Sequence, residues 1–202
     1  MSDSNEQKVS YGLGWQFGRH LLTHDFDGLD LEAVFAGIRD CYVGNESPYT
    51  DKEAEKAFKA ITADVEAKRL AEATQAAGQS MEFMRQNAER DDINITPSGL
   101  QYEILELGKG SKPGPLDSVR IHYHGMLTNG HVFDSTMERS TPAEFPLQSV
   151  IAGWVEGLQL IPVGTKCRFY VPAELAYGEL GHPPGIPGNA ALIFNIELLD
   201  IV

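Results

Sequence analysis

Residues 119–127 read VRIHYHGML, and their alternation sets the character of the second half of the chain. Val119, Ile121 and Tyr123 fall on one face of a period-2 pattern, with Arg120, His122 and His124 on the other. That is the signature of a strand with one side buried. Cys167, Phe169 and Val171 repeat the alternation against Arg168 and Tyr170, and Leu192, Phe194, Ile196 and Leu198 repeat it against Ile193, Asn195, Glu197 and Leu199. Turn signals at Lys112-Pro113-Gly114-Pro115, Thr128-Asn129-Gly130 and Val163-Gly164 punctuate these runs. One short helical stretch fits near residues 153–160. The expected arrangement is α+β, an antiparallel sheet packed on one short helix.

Working outward toward the N-terminus, the period changes to that of a helix. Leu31, Val34, Phe35, Ile38 and Tyr42 follow i, i+3, i+4, i+7 spacing, with Asp30 placed as an N-cap. Residues 7–24 carry Leu13, Phe17 and Leu21 on one stripe and Tyr11, Trp15 and Leu22 near another. Gly12, Gly14 and Gly18 in that stretch either permit close helix crossing or mark fraying and a kink. Thr50-Asp51-Lys52-Glu53 has capping-box form, and only Gly78 interrupts residues 51–91. A helix of that length would span roughly 60 Å. Its first half shows a stripe at Ala54, Phe58, Ile61 and Val65. Its second half, with Lys68, Arg69, Glu72 and Gln75 among alanines, reads as a solvated stalk. The chain therefore divides into a helical dimerisation region over 1–48, a long linking helix over 49–92 and a sheet domain over 93–202. Short helices bury too little apolar surface alone, so the aromatics Tyr11, Trp15, Phe17, Phe35 and Phe58 predict a homodimer formed through residues 1 to about 65.

The net charge of −13 is spread along the chain, −8 over residues 1–97 and −5 over the remainder. A polyanion would be repelled, which argues against direct nucleic-acid binding. No apolar run reaches the ~18 residues of a membrane span, and MSDSNEQKVS lacks the basic and apolar regions of a secretory signal. Cys41 and Cys167, far apart in sequence, fit a reducing compartment. The cytoplasm is the expected location.

The segments HYHGML, GHVFDS, VIAGWVEGL, VGTKCRFYVPAELAYG and GHPPGIP stand in one order across residues 98–202. In these segments the chain resembles the FKBP-type peptidyl-prolyl cis-trans isomerases. The helical arm resembles that of the dimeric macrophage infectivity potentiator-like subgroup. The resemblance implies a half-wrapped antiparallel sheet packed on one helix, isomerase and chaperone activity, and no metal or cofactor. It implies a V-shaped homodimer whose two catalytic domains hold unfolded or partly folded clients with exposed X-Pro bonds.

Carried over position by position, the family's pocket falls on Tyr123, Phe133, Asp134, Arg139, Phe145, Val150, Ile151, Trp154, Tyr177, Ile186 and Phe194. The resemblance makes Trp154 the floor beneath the proline ring. Tyr177 hydroxyl and Ile151 N–H become donors to substrate carbonyls, and Asp134 a neighbour of the X-Pro carbonyl. Arg139, Phe145, Val150 and Ile186 complete the substrate wall. FK506 and rapamycin are implied partners, but Ala143 and Gly185 stand where some members carry larger side chains. That lost wall bears on macrolide affinity more than on isomerisation.

Such residues suit rotation about an amide. The barrier is ~18–20 kcal/mol and comes from resonance that is lost in the twisted state. A dry aromatic cavity disfavours the dipolar planar amide more than the twisted one. Lowering the barrier by about 5–7 kcal/mol accelerates rotation about 10⁴–10⁵-fold.

Blander readings stand beside these. Tyr123, Phe169, Phe194 and Trp154 taken singly read as core. Asp134 fits either the pocket or a structural ion pair with Arg139. His122 and His124 read as surface histidines, there being no zinc-like ligand set. A chaperone or scaffold that binds without catalysing is the competing function. Deleting residues 1 to about 90 is expected to spare activity on a short peptide while reducing acceleration of protein refolding.

Overall fold

The computed structural model describes residues 4–22, 26, 28–139 and 141–202. They form two compact units that divide inside one helix, residues 1–66 and 67–202.

The first unit holds α1 (Asn5–Leu21), α2 (Leu31–Val43) and the start of α3 (Asp51–Asn87). Each helix begins where a side chain can satisfy the orphan N–H groups of its first turn. Ser4 and Gln7 close a capping box on α1, and Asp30 Oδ1 accepts from the Glu32 and Ala33 N–H groups at 2.9 and 3.2 Å. Thr50 and Glu53 exchange bonds at the head of α3. α1 starts two residues before the sequence-based start, and His24 lies outside the described residues. Neither α1 nor α2 buries a residue, and Trp15, Phe35 and Phe58 are exposed. A Cβ built at Gly12, Gly14 or Gly18 meets nothing within 4 Å among the described residues.

The second unit contains the rest of α3 and one seven-stranded antiparallel sheet. Its strands are β1 (Asn94–Ile95), β2 (Gln101–Glu106), β3 (Ser118–Leu127), β4 (Val132–Ser135), β5 (Ala143–Pro146), β6 (Lys166–Val171) and β7 (Leu192–Ile201). The order is β1-β2-β6-β7-β3-β4, with β5 also on β3. Two helices follow strands, α4 (Thr136–Arg139) and α5 (Ala152–Leu160). Val119, Ile121, Tyr123 and Leu127 are buried on one face of β3, as the alternation predicts. Together with Phe169, Leu192, Phe194, Ile196 and Leu198 they form the core beneath α5. The approach is close because α5 presents Gly157, where a Cβ would sit 2.6 Å from Phe169 Cε2.

The second half of α3 is not a solvated stalk along its whole length. Ala76, Ser80 and Asn87 are buried, and the contacts they make on the sheet unit are largely polar. Ser80 Oγ accepts from the Ala191 N–H at 2.7 Å. Asn87 Nδ2 donates to Gln101 Oε1 at 2.8 Å, and Gln101 Nε2 donates to the Met84 carbonyl at 2.9 Å. Just past the helix, Arg90 reaches the nearly buried Glu103 carboxylate at 2.7 Å and the Tyr170 hydroxyl at 2.9 Å. Tyr170 in turn donates to Glu103 at 2.7 Å. An apolar-periodicity reading could not detect a docking face built from Ala, Ser and Asn.

Candidate active site

A hollow of about 440 Å³ opens beside β3, lined by Tyr123, Phe133, Asp134, Phe145, Ser149, Val150, Ile151, Trp154, Tyr177 and Phe194. Trp154, 5 % exposed, lies in the first turn of α5. Its ring meets those of Phe194 at 5.0 Å, Tyr123 at 5.1 Å and Phe145 at 6.0 Å, each edge to face. Phe133 packs edge-on to Phe194 at 5.7 Å. These edge-to-face arrangements match the ring quadrupoles and hold the walls without polar groups. The indole Nε1 of Trp154 is buried without a hydrogen-bond partner among the described residues.

The register of β3 explains why these rings meet. Gly125 pairs with Asp134 on β4 and with Phe194 on β7. A Cβ at Gly125 would lie 2.8 Å from the Phe133 ring and 2.9 Å from that of Phe194. The glycine of HYHGML therefore makes room for two wall residues, a close approach that a side chain in mid-strand would block. Two residues earlier β3 lies between partners, since β5 pairs with residues 118–121 and β4 with residues 124–126. At that gap the buried Thr136 hydroxyl accepts from the Tyr123 N–H at 2.8 Å and donates to the Tyr123 carbonyl at 3.1 Å. One side chain substitutes for a missing strand.

The ionisable groups at the rim form one chain. The Tyr123 hydroxyl donates a very short bond to Asp134 Oδ2, and Arg139 Nη1 donates to Oδ1 at 2.7 Å. Burial and the adjoining Asp134 carboxylate push the Tyr123 hydroxyl up to about 12. For Asp134, burial acts upward, but the bonds from Tyr123 and Arg139 outweigh it and hold the carboxyl below its usual range. Burial first, and the charge of Asp134 second, raise Tyr177. The site thus carries a neutral phenol and a compensated carboxylate, a poor set for nucleophilic or general-base chemistry at neutral pH. Tyr177 is 37 % exposed and its ring stacks on His182 at 5.1 Å. Among the described residues neither its hydroxyl nor the Ile151 N–H donates to another group. Two donors therefore stand at a hollow lined mostly by rings.

Nine of the eleven residues expected at the pocket line it. Arg139 is a tenth element by contact, bonded to Asp134 rather than lining the hollow. Ile186 is a correction. It lines a different recess, beside α3, rather than the hollow, its backbone paired with His182, the His182 N–H to the Ile186 carbonyl at 2.8 Å and the reverse at 3.1 Å. Ser149 lines the hollow and was missed, since a serine between Gln148 and Val150 carries no pattern. His122 and His124 meet the hydroxyls of Thr136 and Ser135 at 3.1 Å.

Comparison with known proteins agrees along the whole chain. The family described as FKBP-type peptidyl-prolyl cis-trans isomerase matches residues 109–199. The domain amino-terminal to FKBP-type peptidyl-prolyl isomerase matches residues 6–104. The FKBP-type 22 kDa peptidyl-prolyl cis-trans isomerase of Escherichia coli is 40 % identical over 200 residues, covering 99 % of this chain and 97 % of that protein. The outer membrane protein MIP of Legionella longbeachae is 35 % identical, covering 98 % and 86 %. Among solved structures, FkpA from Escherichia coli aligns with a TM-score of 0.68 at 34 % identity, over 100 % of this chain and 98 % of that one. No helix of the described residues is long and apolar enough to cross a membrane. With a ring-walled hollow free of any activated nucleophile and relatives matching from end to end, the chain belongs to the FKBP-type peptidyl-prolyl cis-trans isomerases.

Proposed function

We propose that the hollow seats the proline of an X-Pro bond on Trp154 and lowers the rotational barrier by solvation rather than by covalent chemistry. The observation that carries this is the wall of five rings, Tyr123, Phe133, Phe145, Trp154 and Phe194, around a compensated Asp134. A planar amide keeps its dipole only at a cost in such surroundings, and the twisted amide, having lost resonance, suffers less. Tyr177 hydroxyl and Ile151 N–H hold the flanking carbonyls, which fixes the substrate while the central bond turns. Asp134, tied to Tyr123 and Arg139, keeps the rim rigid and tunes the field at the X-Pro carbonyl. Val150 and Phe145 complete the substrate wall. Gly185 and Ala143 leave that wall thinner, so FK506 and rapamycin bind more weakly than where larger residues stand.

The clients are unfolded or partly folded polypeptides with accessible X-Pro bonds. The exposed aromatics of α1, α2 and the first half of α3 pair two copies into a homodimer, which raises the effective concentration of one site for a client held at the other. Two free cysteines, Cys41 exposed and Cys167 buried, favour a reducing compartment such as the cytoplasm. The decisive experiment follows isomerisation of Leu-Pro and Phe-Pro tetrapeptides by wild type, Tyr177→Phe and Asp134→Ala. Wild type is expected to accelerate both, and each variant to lose about tenfold, the worth of a charge-assisted or substrate-holding hydrogen bond. Variants as fast as wild type would remove these roles from Tyr177 and Asp134.

A further inference from the structure

A second recess, about 290 Å³, lies within the sheet unit between the later turns of α3 and the loop 180–191. Gln75 and Gln79 line it from the helix, Asn129 from the β3–β4 turn, and Leu180, Pro184 and Pro187 from the loop. The β3–β4 hairpin also builds the hollow, through Phe133 and Asp134, and Tyr177 of the hollow stands three residues before Leu180 of the recess. Gly185, flanked by the recess residues Pro184 and Ile186, lies against the hollow residue Phe133, whose Cβ would be 3.7 Å from a Cβ built on the glycine. We propose that this recess is a second subsite for the polypeptide substrate and takes an extended segment flanking the proline held in the hollow. The proposal rests on the isomerase reading above.

Its chemistry suits a peptide backbone. Carboxamides offer both donors and acceptors, as a main chain does. Asn129 Oδ1 already accepts from the His131 N–H at 2.9 Å, which leaves its NH₂ for a guest carbonyl. Gln75 and Gln79 stand four residues apart on α3, about 6 Å along its axis. Residues on one side of an extended strand repeat every ~6.6 Å, so the two amides fall opposite successive same-facing backbone groups. The prolines and Leu180 supply apolar contact. The recess lining holds one formal charge of each sign, Arg69 and Glu72, which gives a phosphate or nucleic acid no electrostatic hold.

The test compares two peptides sharing one Leu-Pro centre, a tetrapeptide and a version with eight further residues on each side. Each extension reaches about 26 Å, twice the ~13 Å radius of gyration of a hundred-residue domain. Exchange NMR on the full-length protein gives kcat/KM for both. Wild type is expected to favour the long peptide about tenfold, the worth of two amide hydrogen bonds. Gln75→Ala with Gln79→Ala, substitutions that a helix surface tolerates, should bring the long-to-short ratio close to one. On titrating the long peptide into wild type, the Gln75 and Gln79 side-chain amide signals should move, and the tetrapeptide should leave them in place. A wild-type ratio of one, or a ratio that survives the double substitution, overturns the subsite. A tetrapeptide that is not turned over at all sinks the isomerase roles of the hollow instead.

Discussion

Where the arm can be cut away is the sharpest consequence of the docked helix. A cut after residue 90 removes the acceptor of the Ala191 N–H, both partners of the Gln101 amide and the cation nearest Glu103. It also strips Phe83 from the Tyr170 ring, 5.8 Å away. A buried polar group left without a partner costs about 1–3 kcal/mol. Water reaches these groups once the helix is gone, so the lower end applies, about 1 kcal/mol for each of three groups. Uncovering Tyr170 adds about 1 kcal/mol more. The expected loss is about 4 kcal/mol, a large share of the ~5–15 kcal/mol that holds a domain folded. A cut after residue 66, at the division between the two compact units, sacrifices none of these contacts. Urea unfolding of the two truncations is the assay. With m near 1.5–2 kcal/mol/M, the shorter protein should unfold about 2–3 M earlier. Tetrapeptide activity should survive the cut after 66 at ordinary temperature. Coincident midpoints would refute the view that residues 67–90 belong energetically to the catalytic unit.

Three other outcomes are expected. Gly125→Ala forces a methyl into the Phe133 and Phe194 rings; overpacking of this kind costs about 1–3 kcal/mol, and calorimetry should show the loss together with slower isomerisation. Asp134→Asn should narrow the stability difference from wild type at both pH extremes. The carboxylate, acidified by the fold, contributes above its unfolded value of about 3.9 and ceases to as pH falls through the folded one. Tyr123 contributes below its ordinary 10.0 and ceases to as pH rises through about 12; thermal melts across pH of both proteins check the window, and a pH-independent difference would count against the pair. Sedimentation of wild type should give twice 22.2 kDa, and Phe58→Glu should give the single mass.

How much of this was legible depended on whether burial was apolar. The strands β3, β6 and β7 announced themselves because their inward residues are Val, Ile, Phe and Leu. β2 did not: Tyr102 and Ile104 pack on the core, but its more buried face carries Gln101 and Glu103, partners of Asn87 and Arg90. That face of β2 and the second half of α3 are two sides of one polar interface, to which hydrophobic periodicity is blind. The hollow was legible as a set of rings through the family resemblance. Its inner logic was not: Gly125 matters for the space it leaves, and Ile186 lines the recess beside α3 instead, a placement that no local pattern encodes.

Thr136 has a consequence for how such a site can diversify. Because one hydroxyl closes both main-chain valences of Tyr123, the ladder on that flank of β3 does not need a continuous neighbour. Residues between Arg139 and β5 can then lengthen, shorten or change composition while the ring beneath stays in register. Variation in what the enzyme accepts is thereby uncoupled from the integrity of the scaffold that does the turning.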